Sequence, residues 1–451
     1  MRRIIFITAI SLLMSSCGVY NKYQPTTEVP NNIFGENISV VDTVSLGQIG
    51  WRELFTDTCL QALIEKGLEN STDLKVAHLR VKSAEAALMT AKLSYLPSLS
   101  LNADGGLSRY NSSSSKTYNI GVGASWELDV FGRVTNTKRG QQAALEGSKA
   151  YAQAVRTQLV ATIANGYYTL LMLDSQISIT ERTLKTWEET VRTLEALKNA
   201  GKTTEASVLQ ARANCMSLET SKLSLVKSVS ETENALCALL ASPHHRIERS
   251  SMTSQHFPEE LSVGVPLQLL SNRPDVRQAE FTLAQTFYAT NTARAAFYPS
   301  ITLSGNAGWT NNGGGLILNP GKWLLSAIGS LTQPLFNKGV NIANLQIAKN
   351  NYEEAALLFQ QSLLDAGKEV NDALIQWQTA RQRIAIDREQ IATLQEAVRK
   401  TELLMRHTDT NYLEVLTAQQ SLLAVELTDS QDRFDEIQGV ISLYHALGGG
   451  Q

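Results

Sequence analysis

The sequence predicts an α+β membrane protein that combines long coiled-coil helices with four amphipathic strands, in a plan written twice along the chain. Three observations carry this. The first half recurs in the second with almost unchanged spacing. Four segments alternate apolar and polar residues over strand lengths. Elsewhere apolar residues fall at steps of three and four over stretches far longer than a globular helix.

The repeat sets the organisation. Asp73, Ala77, Thr90, Ala91, Pro97, Ser98, Leu101 and Gly106 recur as Asp275, Ala279, Thr292, Ala293, Pro299, Ser300, Leu303 and Gly308, each displaced by 202. Ser125, Phe131 and Asn136 match Ser330, Phe336 and Asn341 at 205, and Val208, Leu209 and Ala211 match Val415, Leu416 and Ala418 at 207. So small a drift over half the chain marks one multi-element unit duplicated, with a period far beyond that of a solenoid. The expected halves are residues 51–245 and 246–451.

Within each half a strand pair comes first. After Pro97, Leu99, Leu101, Ala103 and Leu107 alternate with polar or small residues, predicting a strand over about 98–109. Tyr118, Ile120, Val122, Ala124, Trp126, Leu128 and Val130 do the same over about 117–130, with Asn111 to Lys116 as a Ser-rich loop between. The second half gives strands over about 300–310 and 323–333, joined through Asn311 to Gly315. Such strands have the length and two-sidedness used by membrane barrels, yet four cannot close one.

The remaining pattern is helical. No proline occurs between Pro97 and Pro243 or after Pro334, so helices are expected over about 135–199, 204–241, 273–297, 338–406 and 411–447. The first of these would reach about 95 Å at 1.5 Å per residue. Leu170, Leu173, Ile177, Thr180, Leu184, Trp187, Val191 and Leu194 form one heptad stripe. Leu413, Leu416, Gln420, Leu423, Leu427, Phe434, Ile437, Ile441 and Tyr444 form another. The helix from 204 carries two: Val208, Ala211, Cys215 and Leu218 beside Ala206, Leu209, Ala213 and Met216. Two seams on one helix call for a packed neighbour on each side.

The amino terminus reads as an address. Arg2 and Arg3 precede the apolar run Ile4 to Met14, followed by Ser15, Ser16 and Cys17. That is the pattern of an export signal over residues 1–16, and it resembles a bacterial lipoprotein signal in which Cys17 is acylated and anchors the chain in lipid. Residues 17–50, polar and carrying Pro25 and Pro30, read as a tether. Cys59, Cys215 and Cys237 are an odd number without metal spacing and read as small hydrophobes.

Composition excludes several classes. With 451 residues, 43% hydrophobic, 18% charged and a net charge of −3, the chain has no basic field for nucleic acid and too much apolar character for a solvated coil. After the first twenty residues no apolar run suits a membrane-spanning helix. HExxH, GxSxG and CxxC patterns are missing, and Gly201-Lys202-Thr203 lacks the leading glycine and strand of a phosphate loop. The adjacent His244 and His245 read as loop residues. No catalytic centre, cofactor or metal site is expected.

Several motifs now carry a family resemblance. Trp126-Glu127-Leu128-Asp129-Val130-Phe131-Gly132-Arg133 resembles the WELDLFGR motif of outer-membrane efflux factors, the TolC- and OprM-like proteins and their NodT-type lipoproteins. Arg273-Pro274-Asp275-Val276-Arg277, after Asn272, is similar to their RPDVR motif, and Ala293 to Ser300 to their ARAAFFPS element. The resemblance implies a homotrimer whose subunits share a twelve-stranded barrel continued by an α-helical barrel into the periplasm. It implies an outer-membrane exit duct of a tripartite efflux system, with an RND-type inner-membrane transporter and a periplasmic adaptor as partners. A type I protein secretion duct is the alternative, and a coiled-coil surface lipoprotein without a pore stands further off.

Site residues follow. Asp129, Gly132 and Arg133 sit where strand period gives way to helix period, and Pro97 and Pro299 at the opposite change, so all five are expected to shape the strand-helix junction. Asn411 to Gln419 resembles the family's periplasmic tip, where acidic residues one turn apart ring the closed pore. Glu414 matches the first acidic position and Thr417 replaces the second, so the resemblance implies a constriction at Glu414 and Thr417 that favours cations. Met405 and Thr410 stand where TolC-like members carry the Tyr and Arg of a tip lock.

Overall fold

The computed structural model describes residues 22–24, 46–111, 113–255, 257, 273–310, 322–407 and 412–449. The signal segment, Cys17, most of the tether, Asn272, the loop Asn311 to Gly315, Thr410 and Asn411 lie outside the described residues.

Three helices open the described chain: α1 (Trp51–Leu54), α2 (Thr58–Asn70) and α3 (Thr72–Leu93). Strands β1 (Ser98–Tyr110) and β2 (Ser113–Leu128) follow, then α4 (Arg133–Asn199) and α5 (Glu205–Leu239). The second half gives α6 (Pro274–Ala295), β3 (Ser300–Thr310), β4 (Lys322–Thr332), α7 (Val340–His407) and α8 (Tyr412–Ala446). At 67 and 68 residues, α4 and α7 each run about 100 Å. None of the described helices is long and apolar enough to cross a membrane.

All four strands join in one antiparallel sheet of order β1-β2-β3-β4. Its register sorts the side chains by face. Leu101, Val122, Ala307 and Leu325 lie in one row across it, and Leu128, Ile301 and Leu331 in another. Ser100, Gly123, Asn306 and Ser326 make a row of the opposite face. The apolar face is bare in the single chain, with Leu101 76% and Leu325 84% exposed.

The first hairpin corrects the expected loop. Ser113 to Lys116 pair with Tyr110 to Leu107, so β2 starts earlier than the alternation indicated. The turn is made at Asn111, whose φ of 51° suits an asparagine. A Ser-rich stretch has ordinary backbone donors and acceptors, and the twisted ladder uses them whatever the side-chain polarity.

The chain forms two compact units, each taking material from both sequence repeats. One comprises Met1–Glu28, His78–Tyr151 and Arg277–Ser362 and holds the sheet; the other comprises Val29–Ala77, Ala152–Val276 and Leu363–Gln451. The repeat is therefore a unit of sequence, because β2 of the first half pairs with β3 of the second. The core of the second unit gathers Leu60 and Ile64 of α2, Ile163, Tyr167 and Leu171 of α4, Leu236 of α5, Val370 of α7 and Ile441 and Tyr444 of α8. A separate small core forms from the end of α4, the start of α5, the end of α7 and the start of α8.

Heptad burial follows the stripe on α4, departs from it at the start of α8, and leaves the second stripe of α5, Ala206, Leu209, Ala213 and Met216, exposed in the single chain. On α4, Leu170, Thr180, Trp187 and Leu194 are buried. On α8, Leu413 and Gln420 are exposed while Val415 and Gln419 are buried, so the first turns are rotated relative to the expected stripe. Val415 is drawn in by the tip core, and Gln419 Nε2 donates to Glu402 Oε1 at 3.0 Å and Thr190 Oγ1 at 3.3 Å, while its Oε1 is buried without a partner.

Candidate functional site

At the strand-helix junction, Asp129 caps α4. Its Oδ1 accepts from Val134 N and its Oδ2 from Thr135 N, both at 2.8 Å. Thr135 Oγ1 also donates to Oδ2 at 2.5 Å and lies 2.8 Å from Tyr95 Oη, which ties the cap to the residues after α3. These backbone donors have no partner inside the helix, so a carboxylate satisfies both hydrogen bonding and the helix dipole. Gly132 has a φ of 74°, a conformation costly for any residue with a Cβ. Arg133 makes a bidentate pair with Glu127, with Nε 2.8 Å from Oε1.

Pro97 directly precedes β1, and the neighbouring Tyr95 carbonyl accepts from Trp126 Nε1 at 2.9 Å. Pro299 precedes β3, where Tyr298 stacks on Phe131 with centroids 5.2 Å apart. The repeat-mate of that contact is open: Phe336 is 87% exposed. Glu127, Asp129, Phe131, Arg133, Tyr298 and Pro299 line a cavity of about 330 Å³.

The tip is built from the second unit. Leu194 of α4, Val208 and Ala211 of α5, Met405 of α7, and Val415 and Leu416 of α8 form its apolar core, with Tyr412 packed against it. Met405 is therefore a core residue here. Glu414 and Thr417 lie on the exposed face of the first turns of α8, with Thr417 Oγ1 donating to the Leu413 carbonyl at 2.7 Å. The α4–α5 turn places Gly201 at a φ of 73°, and Lys202 N donates to Leu197 O at 2.9 Å, closing a Schellman-type end. Gly201-Lys202-Thr203 is thus a helix stop. Lys198 pairs with Glu205 and Arg212 with Glu195 across that turn.

A third polar cluster had a motif but no role in sequence reasoning. Arg273 is buried just before α6; its Nη1 donates to the Ala446 carbonyl at 3.1 Å, and its Nη2 lies 2.5 Å from Asp275 Oδ2 and 2.7 Å from Glu369 Oε2. Burial pushes the Asp275 carboxyl up, but Arg273 outweighs it and holds the group below its ordinary value. Burial, and then Arg273, lower His445. The motif's arginine thus fastens the end of α8 to the start of α6 and to α7. Sequence spacing could not show this, because Arg273 and Ala446 meet only in the fold.

Of the cysteines, Cys237 is buried, with Sγ 3.4 Å from His245 Nδ1, while Cys59 and Cys215 are half-buried and none is bridged. Among the described residues no group of three or more His, Cys, Asp or Glu could hold a metal ion.

An open amphipathic sheet joined to helices of such length defines a channel-forming class of outer-membrane protein. The outer membrane efflux protein family profile matches residues 63–242 and 265–449, and the chain belongs to that family. The cation efflux system protein CusC of Escherichia coli strain K12 is 29% identical over 447 residues, covering 98% of each chain. The probable outer membrane lipoprotein SilC of Salmonella typhimurium is 27% identical, covering 99% of this chain and 98% of its own. The open-state crystal structure of the Neisseria gonorrhoeae MtrE outer membrane channel superposes with a TM-score of 0.85 at 30% identity, covering 95% of this chain and 97% of that one. This protein is an outer-membrane efflux channel protein, of a family of ducts rather than enzymes.

Proposed function

We propose that three copies close into one passive exit duct, which receives small molecules from an inner-membrane RND-type transporter through a periplasmic adaptor. The observation that carries it is the open sheet. β1 and β4 each have one partner, and a bare apolar face with two open edges is unstable in water or lipid until it is closed. The repeat supplies the rule for closure. β4 is the repeat-mate of β2, and β1 of β3, so β4 pairs with β1 of the next copy as β2 pairs with β3. The exposed Phe336 then stacks near Leu96 of that copy, as Phe131 does on Tyr298. Three copies give twelve strands, and the uncovered stripe of α5, with Leu209 and Met216 exposed, meets a neighbouring helix.

At the tip, three-fold symmetry brings three Glu414 carboxylates toward the axis, with Thr417 one turn on. Like charges at a constriction favour cations. Acylation at Cys17 adds a lipid anchor to the barrel. In such a machine the energy and most of the specificity belong to the transporter.

The test is compound accumulation in cells with and without the gene, over dyes, antibiotics, bile salts and metal ions. Efflux predicts that accumulation rises on deletion and falls on complementation. Loss of a secreted protein from the medium with unchanged accumulation would instead establish the secretion alternative.

A further inference from the structure

The seam between α7 and α8 buries two carboxyl groups against one cation. The Asp432 side chain has no exposed surface, and Asp387, facing it from α7, is 7% exposed. Asp432 Oδ2 and Asp387 Oδ2 have no hydrogen-bond partner, and Asp432 Oδ1 has none beyond its ion pair with Arg383. Asp387 acts directly on the Asp432 carboxyl across the seam and disfavours its ionisation. Arg383 of α7 places Nη2 3.0 Å from Asp432 Oδ1, and Asp435, one turn along α8, adds a further negative charge. The next pairs along the seam, Arg381 with Glu436 at 3.7 Å and Arg433 with Asp429 at 2.7 Å, carry their own counter-charges.

Ionised carboxylates only accept hydrogen bonds, so two of them face to face in a buried seam supply no donor to each other and repel. One proton changes both facts. It supplies an O–H donor between the groups and leaves one negative charge opposite Arg383, so that the two carboxyl groups and the guanidinium are together neutral. We propose that Asp387 and Asp432 form a proton-binding pair that shares one proton across the α7–α8 seam, tightening the seam when the proton is held and loosening it when it is lost.

The titration fits. Burial, then Asp387, push Asp432 up from 3.8 to about 6, against the pull of Arg383. Folded Asp432 holds its proton more tightly than it does in the unfolded chain. Its stabilisation is therefore complete below the unfolded value of 3.8 and is lost as pH rises through about 6. This stands whether or not Glu414 lines a pore.

The experiment uses the purified full-length protein in detergent, with Asp432→Asn, Asp387→Asn and, as control, Glu436→Gln. Thermal unfolding half-times are measured from about pH 4.5 to about pH 7.5, and the protonated-carboxyl stretch is followed by infrared difference spectroscopy. An amide supplies a permanent donor without charge. Each Asn variant is expected to unfold about three- to tenfold more slowly than wild type near pH 7.5, with the gap closing near pH 4.5. A wild-type carboxyl band titrating near 6 should be missing from both, while Glu436→Gln keeps the wild-type profile. Asn variants as labile as wild type or more so near pH 7.5, or a wild type without that band, would overturn the proposal. The wild-type band decides even where a variant fails to fold.

Discussion

Asp129 does more than end a strand. Its two oxygens hold the first amides of α4, and through Thr135 they reach Tyr95 beyond α3, so one carboxylate joins the start of α4 to the residues that lead into β1. Asp129→Ala should cost about 1–2 kcal/mol, the scale of a lost N-cap, read as a lower thermal midpoint of the detergent-solubilised protein. Asp129→Asn, which keeps an acceptor, should cost less. Glu414 sits at the first turn of α8 with its neighbours Val415 and Leu416 turned into the tip core. Glu414→Ala is expected to raise single-channel conductance or reduce cation preference in planar bilayers. Unchanged conductance and selectivity would return Glu414 to the role of a solvated helix residue.

Elements carry the assembly argument. In the proposed trimer, shifting the β2–β3 register by the repeat displacements places Leu331 of one copy opposite Leu101 of the next, as Trp126 stands opposite Leu303. Both residues are apolar-face positions and exposed in the single chain. A protein carrying both Leu101→Cys and Leu331→Cys should oxidise to covalent trimers on denaturing gels, whereas either single variant should stay monomeric. Asp at Leu209 or Met216 should weaken the heat-modifiable trimer band by burdening the second stripe of α5 with a buried charge. These elements were legible because their periods are long and clean: β2 alternates without a break from Tyr118, and α4 runs from Arg133 to Asn199 without proline. β4 was harder to read because Ile328 puts an apolar side chain in the row of Ser125 and Ser304. The pairing of Ser113 to Lys116 was missed because polarity suggested a loop where backbone pairing prevails.

At the scale of the whole molecule, the sequence motifs led to the family, while the contacts that fasten distant segments stayed hidden. Arg273 could be quoted in its motif, but its grip on Ala446 and Glu369 spans the full second half. Asp432 lies off the heptad stripe, and no spacing rule pairs it with Asp387. The anchor and the barrel make separable predictions: Cys17→Ser should abolish lipid labelling yet leave the trimer in the outer-membrane fraction, held by its strands. The two open sheet edges also have a genetic consequence. In the proposed trimer, a subunit damaged only at β4 can still offer an intact β1 to its neighbour, so it should enter mixed barrels and leave a gap in each. When damaged and sound copies are made in equal amounts, roughly one barrel in eight is wholly sound. Such alleles should be dominant, sensitising cells that still carry a working gene, while alleles that abolish the protein altogether should be recessive.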